Sequence, residues 1–202
     1  MIKTGVYGLI RVLGFLGPWQ EWWGWTILII GAVSCVLGAL FALAQHELKR
    51  VLAYSSIENV GIIMLAAGLG MVGAAHNAPR LAALAFAGAL LHVLNHSLFK
   101  GLLFMGAGAV LHGAGTAELE ALGGLSKRMP RAAALFIAGS AAACALPPFN
   151  GFVGEFLVYL GAFRGLNSVS AAALAGVVAG LSLAIAGAVA AAAFTRAAGT
   201  VF

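Results

Sequence analysis

The strongest constraint on this chain is a set of basic side chains inside an otherwise apolar stretch, residues 81–111. His92, His96 and Lys100 are spaced four residues apart. On an α-helix they drift by only about 80° and form one stripe about 12 Å long. A lysine near the centre of a membrane helix costs on the order of 2.5–3.5 kcal/mol. Because imidazole and amine groups exchange protons, the stripe indicates a proton or ion path. The alternative is a helix contact in which these side chains bond to neighbouring helices.

Composition places the stripe in a membrane protein. The chain has 202 residues, of which 62% are hydrophobic and 8% are charged, whereas soluble domains carry about 25% charged residues. We therefore predict an all-α polytopic membrane protein. The net charge of +5 concerns orientation in the bilayer, and no nucleic-acid partner is expected. Cys35 and Cys144 lie singly in apolar runs, so neither a metal site nor a disulfide framework is predicted.

The apolar stretches predict about six membrane segments in one membrane domain, residues 1–202. The three tryptophans of residues 17–23, which include Pro18, mark a membrane surface. Residues 71–80 and 112–130 are predicted loops, and Gly106 and Gly108 are predicted to permit close helix packing. The six predicted spans are residues 1–16, 25–44, 51–70, 81–111, 131–159 and 171–194.

The fifth predicted span is interrupted by Pro147 and Pro148, which break a helix. We expect two half-helices, 131–146 and 149–159, with Glu155 at the start of the second. Non-helical backbone at membrane depth is tolerated only beside protein or water, as in transporters. The positive helix end would stabilise ionised Glu155, whereas burial opposes ionisation. The alternative is two ordinary spans joined by a surface turn.

The basic residues of the loops are divided unequally between the two ends of the predicted bundle. The positive-inside rule places the richer end in the cytoplasm. The poorer end holds Arg80 and Arg164, together with Glu21. The richer end holds Lys49, Arg50, Lys127, Arg128, Arg131 and Arg196.

Several long motifs, in order, resemble one family. The sequence AQHELKRVLAYSS (residues 44–56) resembles a signature of the antiporter-like proton-channel subunits of respiratory complex I, membrane-bound hydrogenases and multisubunit cation/proton antiporters. The continuation SSIENVG (55–61) is most similar to the hydrogenase-4 and formate-hydrogenlyase component B branch. HSLFKGLLF (96–104) and LPPFNGFVGE (146–155) fit the same family. The resemblance extends to about residue 165.

The resemblance implies a subunit without cofactor, metal or catalytic centre of its own, in which a buried row of lysines, histidines and glutamates carries protons. Lys100 matches this row together with His92 and His96. Lys49 matches the lysine that links the row to neighbouring groups, and Glu155 matches the terminal position. The row is completed by Lys3, which resembles the mid-membrane lysine of the preceding helix, and by Glu58, which is typical of the branch.

Simpler interpretations exist for three of these residues. Taken alone, Lys49 with Arg50 could be a cytoplasmic anchor, Lys3 a flanking charge, and Glu58 a hydrogen-bonded helix contact. His46, His76 and His112 lie near loop ends and are interpreted as surface residues.

The family's members are longer and contain an inverted repeat, whose first half supplies a glutamate–lysine input pair. The chain is therefore expected to be either a fragment or one product of a split gene.

Three functions follow as hypotheses. The first is a proton-translocating, non-redox subunit of a membrane-bound hydrogenase or related NADH:quinone-type oxidoreductase, multi-pass in the inner (plasma) membrane. Its partners would be the bilayer, other membrane subunits and a separate first-half chain. The second is a subunit of a multisubunit cation/proton antiporter, and the third is a structural membrane fragment. The SIEN sequence (56–59) favours the first.

Overall fold

The computed structural model describes residues 2–15, 19–166 and 171–202. These residues form α-helices and two short 3-10 turns and contain no β-strand. Four of the helices, α2, α3, α4 and α7, are long and apolar enough to cross a membrane. The helices are α1 (Ile2–Phe15), α2 (Glu21–Leu43), α3 (Leu48–Ala75), α4 (Pro79–Ala114), α5 (Pro130–Ala143), α6 (Asn150–Leu166) and α7 (Ala171–Val201).

The predicted all-α membrane architecture is confirmed, but several boundaries were wrong. The predicted loop 71–80 is mostly helical, because α3 continues to Ala75 and α4 begins at Pro79. The loop predicted from residue 112 begins only after Ala114, where Gly115 ends α4 in the left-handed conformation (φ 77°). Apolar residues near the membrane surface can belong either to a helix or to the loop that follows it. Hydropathy alone therefore does not locate the helix ends. The stretch 17–23, predicted to mark a membrane surface, lies partly outside the described residues.

Helices α5 and α6 together form one discontinuous crossing. They have 14 and 17 residues, about 21 Å and about 26 Å, and each is shorter than the roughly 30 Å hydrocarbon core. Both run antiparallel to the long helix α4. Phe136 of α5 packs against Gly106 in the C-terminal half of α4, and Gly161 of α6 packs near Ala85 in its N-terminal half. Two half-helices laid end to end along one helix contradict the alternative of two ordinary spans.

Helices α2 and α3 pack in very close contact through glycines. A Cβ on any of these glycines would lie less than 3.0 Å from a main-chain atom of the facing helix. Small residues permit this approach in membranes, where helices associate through packing. The sequence interpretation missed these positions and named Gly106, which does pack against Phe136, and Gly108, which has no neighbour within 4 Å. The close-contact glycines are Gly24, Gly31, Gly38, Gly61 and Gly68.

The loops that carry most basic residues meet at one end of the bundle, here called the basic face. The α2–α3 and α4–α5 loops are joined there, since Leu48 N donates to Ala117 O at 2.9 Å and Leu119 N donates to His46 O at 2.8 Å. Arg196 of α7 donates to the main-chain oxygen of Gln45. The charge division predicted from sequence therefore corresponds to two ends of the fold. Which end meets the cytoplasm stays a prediction.

Candidate functional site

A band of buried polar side chains crosses the middle of α3, α4 and α6. Glu58 is 2% exposed, Lys100 4% and Glu155 8%, although all three side chains can carry a charge. Burial of such groups in an apolar bundle is expensive unless they are paired or functional. The other buried polar members of these three helices are Ser55, Ser56, Asn59, His92, Asn95 and His96.

One hydrogen bond between α3 and α4 fixes the proton position on His92. Asn59 Nδ2 donates to Ser55 O at 2.7 Å, so Asn59 Oδ1 remains as the acceptor. His92 Nε2 lies 3.0 Å from that oxygen and is therefore the donor in the neutral ring. The other ring nitrogen, Nδ1, is a buried acceptor without a partner among the described residues. A Cβ at Gly154 would lie 3.1 Å from this nitrogen, so the glycine keeps it open.

The Lys100 side chain also joins α4 to α3, at a position nearer the basic face than His92. Its Nζ donates to the main-chain oxygen of Leu52 in α3 at 3.1 Å and lies 5.3 Å from the centroid of the Phe194 ring of α7. A main-chain carbonyl and an aromatic face both stabilise an ammonium without neutralising it. Lys100 can therefore hold a proton here and still release it.

His96 lies between His92 and Lys100 on α4 and is held only by packing. Its ring centroid is 5.5 Å from that of Phe99, in an edge-to-face arrangement. Neither ring nitrogen has a hydrogen-bond partner among the described residues. Buried polar atoms with unused capacity are the kind that ordered water joins. His96 is thus chemically suited to connect its two neighbours.

The break between α5 and α6 is attached to this band by an asparagine pair. Asn95 Nδ2 donates to Asn150 O at 2.7 Å, and Asn150 Nδ2 donates to Asn95 Oδ1 at 3.3 Å. The first residue of α6 is thereby fixed to α4 at the level between His92 and His96. No sequence pattern predicts this pairing, because the two asparagines lie 55 positions apart.

Glu155 lies further along α6 than predicted. The helix begins at Asn150, so Glu155 is its sixth residue and lies beyond the first turn. The prediction that the helix N-terminus stabilises ionised Glu155 is therefore wrong, since the effect of the helix dipole falls off within one turn. The side chain is instead buried, and it interacts electrostatically with Glu58.

Glu58 is the charged group of α3 that faces this band. It interacts electrostatically with Lys100 as well as with Glu155. No ion pair within 4.0 Å joins these groups in the part of the chain that is described. Glu58, Lys100 and Glu155 are therefore buried groups of one polar band without tight ion pairing among the described residues.

The two remaining predicted residues, Lys3 and Lys49, lie at the edges of the buried polar band. Lys3 is half-buried on α1, beside Leu90 and Val93 of α4, and interacts electrostatically with His96 and Lys100. Lys49 lies in the first turn of α3 at the basic face, half-buried and three residues before Leu52. Their roles stay predictions.

Of the histidines interpreted as surface residues, His46 and His112 are exposed and His76 is half-buried, 3.1 Å from Glu21.

Within residues 2–15, 19–166 and 171–202, no group of three or more His, Cys, Asp or Glu side chains is arranged to hold a metal ion. The carboxyl, imidazole and amine groups of the described site can take part in hydrogen bonding and proton exchange.

This discontinuous-helix bundle with a buried polar band defines a class of membrane subunit, and comparison with known proteins identifies the family. Residues 1–182 match the family described as NADH:quinone oxidoreductase/Mrp antiporter, TM. The chain belongs to this family. It is 44% identical over 207 residues to hydrogenase-4 component B of Escherichia coli K12, covering 100% of this chain. It is 42% identical over 191 residues to formate hydrogenlyase subunit 3 of the same organism, covering 94% of this chain.

A solved structure shares the fold. It is the Mrp complex from Dietzia sp. DQ12-45-1b, with a TM-score of 0.61 at 24% identity, covering 82% of this chain and 29% of that one. The chain spans 31% of the length of each of the two Escherichia coli relatives. The family resemblance predicted from the motifs is confirmed.

Proposed function

We propose that this chain carries protons within the membrane part of a hydrogenase or a related NADH:quinone-type oxidoreductase, as a subunit without a redox centre. The observation that carries the proposal is the buried polar band on α3, α4 and α6. The support from relatives is the similarity to a hydrogenase-4 component and a formate hydrogenlyase subunit.

In this proposal the stripe on α4 is the central part of the path. Lys100 holds a proton on its amine, and His96 and His92 exchange it through ring nitrogens that face the interior. Glu155 receives the proton on α6, the half-helix that follows the break, and main-chain groups freed from helical bonding at the break attract polar surroundings. Lys3 and Lys49 connect the stripe to neighbouring groups at its edges.

The partners follow from the same proposal. Residues 1–202 act as one membrane unit beside other membrane subunits, including a segment that supplies the input pair for protons. Large lipid- or partner-facing apolar side chains support this, with Phe15 72% and Met105 69% exposed. The proposed location is the inner (plasma) membrane.

The test is to purify the complex through a tag on this chain and identify its subunits by mass spectrometry. Nickel–iron hydrogenase subunits are expected. The same complex, reconstituted into sealed vesicles, should move protons when its redox reaction is started, with the signal abolished by a protonophore. Redox turnover without proton movement would contradict the proposal.

A subunit of a cation/proton antiporter is the second candidate, favoured by the fold shared with the Mrp complex. It differs in needing no redox partner. Co-purification of small antiporter subunits, together with sodium-dependent proton movement in the absence of a redox substrate, would favour it. Assembly of the complex without any ion movement would favour the third hypothesis, a structural membrane module.

A further inference from the structure

A groove between α5 and α7, here called the α5–α7 groove, opens to the outside of the bundle close to the basic face. It encloses about 430 Å³. Between Phe202 and Phe194 it extends about 12 Å along α7, at the helical rise of about 1.5 Å per residue. Most of its lining is apolar, so the groove suits a hydrocarbon chain. The lining includes Ile137, Ala141, Leu146, Phe194, Ala198 and Phe202.

The groove exists because α5 and α7 contact each other at its two ends and not between them. At the end near the basic face, called the mouth, the rings of Phe136 and Phe202 pack with centroids 5.4 Å apart. At the inner end, Cys144 Sγ lies 3.8 Å from Ala190 O. Gly199 of α7 lies between these contacts, and a Cβ there would meet no other atom within 4 Å.

The mouth of the groove is positively charged. Ser126 lines the groove and is followed directly by Lys127 and Arg128, which are both exposed. Neither cation forms an ion pair within 4.0 Å in the part of the chain that the structure describes. Glu120 of the same loop is bonded to His46. The N-terminus of α5 follows this loop and adds the positive end of a helix dipole, which favours an anion.

The groove also contains a polar atom that needs a partner. Ser140 is 6% exposed and lines the groove, yet its Oγ has no hydrogen-bond partner among the described residues. Ser140 lies four residues beyond Phe136 on α5, about 6 Å deeper than the mouth. Buried hydroxyl groups are normally hydrogen-bonded, so this one indicates a ligand with an acceptor at that depth.

A phospholipid has this order of chemical groups. Its phosphate lies outermost, its ester carbonyl oxygens lie below the phosphate, and its acyl chains are apolar. A further helix does not fit inside the groove, because a helix about 10–12 Å across needs about twice the volume over the same length. The unpaired cations at the mouth match a negatively charged headgroup, and basic pockets between membrane helices bind such headgroups.

We propose that the α5–α7 groove binds one anionic phospholipid of the leaflet that meets the basic face. Lys127 and Arg128 bind the headgroup. The Ser140 hydroxyl donates to an ester carbonyl oxygen, and one acyl chain fills the groove as far as Phe194.

The test uses the complex purified through a tag on this chain and reconstituted into phosphatidylcholine nanodiscs. The probe is a trace of phosphatidylglycerol that carries a photoreactive diazirine in one acyl chain, and the labelled peptides are mapped by mass spectrometry. Labelling should concentrate in residues 137–146 and 194–202, and excess unlabelled phosphatidylglycerol should compete with it. Labelling spread evenly over the outer helix faces, or absent from these two segments because a partner subunit covers them, would overturn the proposal.

The headgroup contact is tested by removing its two charges. In Lys127→Gln/Arg128→Gln, labelling of the groove should fall at least about fivefold, since each cation near an anionic headgroup contributes to binding. Arg80→Gln/Arg164→Gln removes the same charge from exposed positions at the opposite end of the bundle and should have no effect. Equal labelling in the two double variants would exclude the headgroup contact.

The groove itself is tested by filling it. Gly199→Phe should abolish the labelling of the two segments, whereas Gly187→Phe should not. Both glycines lie on α7 with nothing within 4 Å of a Cβ, but only Gly199 lines the groove. Unchanged labelling in Gly199→Phe would show that the lipid collects at the basic face without entering the groove, and would overturn the proposal. If Gly199→Phe does not assemble, the charge variants and the competition by phosphatidylglycerol decide.

Discussion

Lys100 of α4 donates a hydrogen bond from Nζ to the main-chain oxygen of Leu52 in α3 at 3.1 Å. The ammonium thus lies in the interior, 4% exposed, with an opposing electrostatic interaction from Glu58 and no tight ion pair among the described residues. A proton carrier needs this combination, because a tightly paired ammonium would not release its proton and an uncompensated one would not be tolerated.

Lys100→Ala is expected to abolish proton movement while the complex remains assembled. The alanine removes the amine without adding a buried charge, so the effect falls on translocation. Proton uptake in reconstituted vesicles and the subunit composition of the purified complex are the two measurements. Lys127→Ala, at an exposed position of the α4–α5 loop, should behave as wild type. Unchanged pumping in Lys100→Ala would remove Lys100 from the path.

Glu155→Gln should stop translocation with little loss of assembly. The amide keeps the shape and hydrogen bonding of the carboxyl group but cannot release a proton. Glu155→Asp, which keeps the acid on a shorter side chain, should retain part of the activity. Both are measured by vesicle acidification against redox turnover. If Glu155→Gln pumps like wild type, the residue is only a buried polar contact.

Gly31→Ala should destabilise the bundle. Its Cβ would lie 2.7 Å from Leu65 Cα, so α2 and α3 must separate, and overpacking of this kind typically costs about 1–3 kcal/mol. The expected result is a lower thermal unfolding midpoint in detergent. Gly108→Ala, with no neighbour within 4 Å, is the control and should be neutral. Equal midpoints for the two variants would contradict the close contact.

The orientation of the basic face can be tested with single cysteines, after Cys35 and Cys144 are replaced by alanine. Ser126→Cys, at an exposed position of the α4–α5 loop, should react with a membrane-impermeant thiol reagent only from the cytoplasmic side. Ala75→Cys, exposed at the opposite end of α3, should react only from the outside. Reversed labelling of this pair would invert the orientation.

The basic face should loosen in acid. A hydrogen bond from His46 holds the pKa of the Glu120 carboxyl below its ordinary value. Because the folded pKa is lowered, this stabilisation is present above the unfolded pKa of about 4.3 and is lost as pH falls through the folded value. A spin label at Ser126→Cys should gain mobility over that acidic range. Glu120→Gln should remove this pH dependence, and an unaltered transition would exclude the contact as its cause.

The sequence alone determined the membrane class and most of the helices. Long apolar runs with few charges can bury themselves only in a bilayer, and buried lysine and histidine at four-residue spacing require an interior helix face. Pro147 and Pro148 indicated the break in the fifth span, because they cannot continue a helix. The ordered motifs were sufficient for the family, since a motif depends on residue identity and not on packing.

Only the tertiary structure decided which polar groups meet. The pairing of Asn95 with Asn150 depends on the register of α6 against α4, which sequence spacing does not encode. The glycine contacts of α2 and α3 likewise depend on which helix faces which. Glu58 is buried because α3 packs between α2 and α4. Such contacts join residues far apart in the chain, so their energies are set by packing rather than by local sequence.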